Sequence, residues 1–133
     1  MKNVKLNIQI DRKNHTIIYE YFWTNPQGRT FRRTLKVEVG EECHAWSYQR
    51  LGVVAVRYGL MKLKEGCNVL VTVNNRYIWQ NAENLIYWRR NYWHSASGKE
   101  IANAYSWQQL VEVAKQHVVT IRYNNELRTL KAA

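Results

Sequence analysis

A chain of 133 residues is long enough for one compact domain and short for two. Its 20 Lys and Arg against 10 Asp and Glu leave a formal charge of +10, while 46% apolar and 13% aromatic residues supply a core, which excludes a disordered basic tail. No apolar run approaches the ~18 residues of a membrane span, and Cys43 and Cys67 stand at no metal-ligand spacing, which excludes a disulfide scaffold and a cysteine zinc site.

Val4, Leu6, Ile8 and Ile10 alternate with Lys5, Asn7, Gln9 and Asp11, the period of a half-buried strand. The same alternation argues against a signal peptide, so a cytoplasmic location is expected. Arg12 to His15 is a polar turn, and Thr16 to Trp23 is β-branched or aromatic for most of its length, as a central strand should be. Asn25-Pro26-Gln27-Gly28 turns the chain into a third strand, Thr30 to Val39. Ser47 then caps a helix whose Leu51, Val54, Ala55, Tyr58 and Met61 fall on one face, ending before Gly66. Asn68 to Val73 is short, Val-rich and apolar, which predicts a fully buried strand, and Cys67 beside it reads as core. Short helices are expected over Arg76 to Asn81 and Asn84 to Tyr92. After a polar loop, Asn103 caps a helix to His117 with Trp107, Leu110, Val111 and Ala114 on its buried face. Val118 to Tyr123 is the last strand expected. The order βββ-α-β-αα-α-β predicts one α/β domain over residues 1–133: a mixed five-stranded sheet, an antiparallel three-strand meander and then parallel strands, with helices on its faces.

A surplus of +10 draws a protein toward polyanions, nucleic acid first among them, because neutralising phosphates releases condensed counterions. The placement of the charge is informative. Arg89, Arg90 and Lys99 lie among Trp88, Tyr92 and Trp93, a basic segment with interleaved aromatics that suits phosphates and sugar faces. Packing of Trp88 and Trp93 onto the domain is an equal alternative to contact. Arg29, Arg32 and Arg33 on the third strand either add to this surface or protect a sheet edge.

Three stretches carry a family resemblance. Ser47-Tyr48-Gln49-Arg50-Leu51 opens the central helix, Val69 to Asn75 reads VLVTVNN, and Trp88 to Trp93 is followed by Gly98-Lys99, Asn103 and Trp107. Together, in this order of elements, they resemble the ribonuclease H family, type 1, with residues 84–103 as its basic handle. The resemblance implies hydrolysis of the RNA strand of RNA–DNA hybrids by two divalent cations held among ~four carboxylates, because two close cations repel unless anionic oxygens surround them.

By that register Asp11, the only Asp in the chain, stands at the first carboxylate. The family's Asp-Gly-Ser turn is here Asp11-Arg12-Lys13, which puts two cations beside the metal position. The second and third carboxylates correspond to Gly52 and Asn74, and neither is acidic. The fourth lies, in the family, on a C-terminal helix for which no room is left, and Glu126 is the only acid after the last expected strand. Glu41 and Glu42 read as a solvated loop pair. The expectation is a divergent, catalytically silent member, with no metal bound, and Mg²⁺ or Mn²⁺ required only if it works as a nuclease. Ser47 and Asn103 match a phosphate pocket, or simply cap their helices. Gln49, Arg50 and Arg76 match groove contacts, and an amide at Asn74 can still bond a ribose or phosphate.

His15, His44, His94 and His117 show no metal-ligand spacing, and no phosphate loop or nucleophile motif is present. Three readings stand: a silent protein that binds hybrid or A-like duplex, an active nuclease with an unorthodox site, and a protein-interaction scaffold whose partner is unknown. No membrane partner is expected.

Overall fold

A computed structural model describes residues 1–132. The expected meander is formed by β1 (Lys2–Asp11), β2 (Thr16–Thr24) and β3 (Thr30–Glu38), all antiparallel. The helix α1 (Tyr48–Met61) leads to β4 (Cys67–Val73), which lies parallel to β1. Then follow α2 (Arg76–Asn81), a 3₁₀ turn (Ala82–Asn84), α3 (Leu85–Arg90) and α4 (Ala104–Ala114). The strand β5 (Val118–Tyr123) runs parallel to β4, so the sheet order begins β3-β2-β1-β4-β5.

The mixed α/β architecture is the one expected, with one addition. A sixth strand, β6 (Glu126–Thr129), returns antiparallel to β5 across Asn124 and Asn125, whose φ values are +49° and +63°. Consecutive positive φ angles make the tight turn whose twist matches a hairpin, and Asn tolerates that region.

Buried positions alternate along β1, β2, β4 and β5, so the sheet has one core face. On it Leu6, Tyr19, Val71 and Ile121 meet Val53, Val56 and Leu60 of α1 and Trp107 and Leu110 of α4. Tyr19 and Tyr21 donate their hydroxyls to Ala55 and Gly59 carbonyls of α1, at 2.8 and 2.7 Å. Burial pushes the Tyr21 hydroxyl up to about 12, so both groups act as fixed donors. Two sequence expectations shift. The fully buried fourth strand instead alternates, with Asn68 exposed and Leu70 and Thr72 half-buried on the second face. The α1 stripe runs through Leu51, Ala55 and Leu60, leaving Met61 exposed beyond the packed turn. No helix among the described residues is long and apolar enough to cross a membrane.

Candidate nucleic-acid interface

The parallel ladder between β1 and β4 ends at Ile8 opposite Val73, so the two strands deliver Asp11 and Asn74 to the same end of the sheet. Asn74 does not stand free there. Its Oδ1 accepts the Ile10 N–H at 2.8 Å and its Nδ2 donates to the Ile10 carbonyl at 3.0 Å. The side-chain amide thereby extends the ladder by one step, using one acceptor and one donor. A carboxylate offers only acceptors and would face the Ile10 carbonyl with like polarity.

The next residue explains Gly52. Asn75 is fully buried, donates Nδ2 to the Tyr48 carbonyl at 2.9 Å, and accepts the Tyr77 N–H at 3.1 Å to cap α2. A Cβ on Gly52 would lie 2.1 Å from Asn75 Nδ2, so this helix position is filled by its neighbour across the site. Asp11 is engaged as well. Its Oδ1 accepts the Asn14 N–H at 3.1 Å and its Oδ2 accepts Asn14 Nδ2 at 2.7 Å. These bonds hold its carboxyl below the ordinary range, keeping it ionised as the anchor of the β1–β2 turn. Glu126 opens β6, and its carbonyl accepts the Trp79 indole N–H at 3.1 Å. Among the described residues, no group of three or more His, Cys, Asp or Glu side chains could hold a metal ion. Asp11 and Asn74 thus share one end of the sheet, with Gly52 packed against the neighbouring Asn75, and the chemistry of these three positions does not fit a pair of divalent cations.

Around this end stand the polar residues singled out from the sequence. Ser47 Oγ accepts the Arg50 N–H at 3.1 Å and caps α1 as expected. Gln49 is exposed, and the Arg50 guanidinium lies over the Trp46 ring, 3.6 Å from its centroid. Arg76, exposed, opens α2. Asn103 departs from expectation: its φ of +60° turns the side chain away from the first turn of α4, and it makes no cap bond. Instead its Nδ2 reaches the Tyr77 hydroxyl at 3.4 Å, which also accepts the buried Trp107 indole N–H at 3.0 Å.

The segment expected as the basic handle runs from α3 through a loop to α4. Trp88 and Trp93 are half-buried against the core, Trp88 packing edge-on to Trp107 at 5.7 Å. The loop is held by backbone bonds from Trp93 N–H to the Trp88 carbonyl and from Ile101 N–H to the Trp93 carbonyl, at 2.7 and 2.8 Å. Arg89 directs Nη1 to the Ala132 carbonyl at 2.9 Å, tying the handle to the C-terminal segment. Arg90 and Lys99 are exposed, with no ion-pair partner among the described residues. Sequence reasoning missed Tyr87 and Tyr105, exposed aromatics on the same segment. Their spacing in α3 and α4 resembles ordinary helical packing, so no periodic signal marked them.

The sequence model of the RNase H family matches residues 22–125. Ribonuclease HI of Pseudomonas putida is 30% identical over 96 residues, covering 67% of this chain and 65% of that protein. Ribonuclease H of Neisseria gonorrhoeae is 35% identical over 72 residues, covering 53% and 50%. The chain thus spans just under two thirds of the first of these curated relatives. Among solved structures, LC9-RNase H1, a type 1 RNase H with the type 2 active-site motif, superposes with a TM-score of 0.61 at 20% identity, covering 92% of this chain and 62% of that one. A foamy viral protease–reverse transcriptase in complex with RNA/DNA hybrid gives 0.58 at 13% identity, covering 91% and 17%. With the fold shared over nearly its whole length and the family pattern spanning most of its residues, the chain belongs to the ribonuclease H family.

Proposed function

We propose that this protein binds RNA–DNA hybrid, or a duplex of the same A-like shape, without hydrolysing it. The carrying observation is the closed chemistry at the ends of β1 and β4. Asn74 commits both polar atoms to Ile10, and Asn75 fills the space a side chain at Gly52 would need. Removing carboxylates removes repulsion of phosphates, so what ends catalysis favours binding. In this reading Ser47, Gln49, Arg50, Arg76 and Asn103 contact the duplex beside the site, and Arg90 and Lys99 with Trp88 and Trp93 act as the handle. Arg89, drawn to Ala132, positions the handle more than it contacts the ligand. An A-form helix is recognised by shape, phosphates and 2′-hydroxyls, which amides and guanidinium groups suit. The complexed foamy viral neighbour, bound to hybrid, supports the same ligand class.

Incubation of the purified protein with end-labelled hybrid in Mg²⁺ or Mn²⁺ tests this reading. The hybrid should be retained on the protein and recovered intact. Cleavage that disappears in Asp11→Asn would establish an active nuclease instead. A salt-independent affinity would favour the protein-interaction scaffold.

A further inference from the structure

At the end of β1, where the family register expects metal, the free charge is a guanidinium. Arg12 follows Asp11 directly and lies over the Tyr48 ring, 5.9 Å from its centroid. Tyr48 is itself fixed from two sides: its hydroxyl donates to the Asn74 carbonyl, and its own carbonyl accepts Asn75 Nδ2. The ring thus carries Arg12 beside Asn74, at the third carboxylate position, and beside Asn75, which fills the space next to Gly52. Asp11 does not form an ion pair with Arg12, because Asn14 takes both its oxygens, and Arg12 has no ion-pair partner among the described residues. With Lys13 beside them, the turn carries two cations against one anion. Arg12, Asp11, Tyr48, Gln9 and Ile18 line an open concavity of about 500 Å³. A guanidinium laid on an aromatic face keeps its edge N–H groups free for paired hydrogen bonds to two phosphate oxygens. Arg50 lies closer over a second ring, that of Trp46 just before α1, 3.6 Å from its centroid.

The geometry points to a phosphate-contact site built in place of the metal centre, in which Arg12, held on Tyr48, binds a backbone phosphodiester of the duplex with no divalent cation. This inference rests on the hybrid binding proposed above and names the contact that replaces the metals. Arg is suited to this role better than Lys, since an ammonium lacks the planar fork.

Anisotropy titration of a short RNA–DNA hybrid in chelator, at several salt concentrations, tests it with wild type, Arg12→Ala and Arg12→Lys. Arg12→Ala should weaken binding roughly tenfold, as expected for one lost charge-assisted contact, and flatten the log–log salt slope by about 0.9. Arg12→Lys should keep the slope and lose part of the affinity. Neutral methylphosphonate placed at single linkages should weaken wild-type binding at one linkage and leave Arg12→Ala unaffected there. Mg²⁺ at constant ionic strength should not strengthen wild-type binding, since it only competes for the same phosphates. Equal affinity and slope for wild type and Arg12→Ala would overturn the inference and leave hybrid binding standing. Binding strengthened by Mg²⁺ would also overturn it. Wild type that fails to bind in chelator would bring down the underlying reading itself.

Discussion

Asn74 shows how one atom type decides what a site is able to do. Its amide completes a hydrogen-bond pair with Ile10, and Asn74→Asp would leave the Ile10 carbonyl facing an acceptor. The variant should lose about 1 kcal/mol in urea unfolding, and it should gain no metal-dependent cleavage. Gly52→Ala should be destabilised by roughly 1–3 kcal/mol, because its Cβ overlaps the buried Asn75 amide. A Gly52→Glu change therefore has no free space in which to restore a ligand. His117 gives a prediction of another kind. It is buried, its Nδ1 accepts the Cys67 N–H at 3.1 Å, and burial holds its pKa below the ordinary 6.5. The unfolded chain therefore binds this proton more readily than the folded one. Its stabilising contribution is complete above 6.5 and is lost as pH falls through the lower folded value. Urea midpoints should drop as pH falls below 6.5, and His117→Gln should flatten that drop. At this scale the positions were legible, because Asp11, Gly52 and Asn74 follow from register. Their commitments were not, since the partners of Asn74 and His117 lie 64 and 50 residues away in sequence.

Periodicity marks elements with one buried face, and β1, β3 and α1 lie where alternation and helical spacing put them, while α4 stops at Ala114, short of the expected His117. The misses have local causes. The β6 strand is only four residues long, with exposed ends, so its pattern is weak. Its usable signal was the Asn124-Asn125 pair between apolar-flanked segments, a hairpin turn by chemistry. Asn103 looked like a cap by residue type, but its positive φ sends the amide to Tyr77. That hydroxyl joins α2 to α4, and Tyr77→Phe should leave the buried Trp107 indole N–H unpaired. A loss of about 1–3 kcal/mol by thermal unfolding is expected, together with weaker hybrid binding through a displaced Asn103. Ser47→Ala should remove the α1 cap and about 1 kcal/mol of stability.

Across the whole molecule, the charge excess and the scarcity of Asp have one explanation. The chain keeps the ribonuclease H scaffold, with Asp11 turned into a turn anchor and cations beside it. On the proposed reading, exposed Arg90 and Lys99 and Arg12 at the strand end offer phosphates a surface that needs no metal. Whether the protein grips hybrid without metals is decided by one titration, hybrid affinity against salt concentration in the presence of chelator. Tight binding whose logarithm falls linearly with log salt, with a slope of several units at about 0.9 per phosphate contact, is the expected result. Binding that appears only when Mg²⁺ or Mn²⁺ is supplied would contradict it.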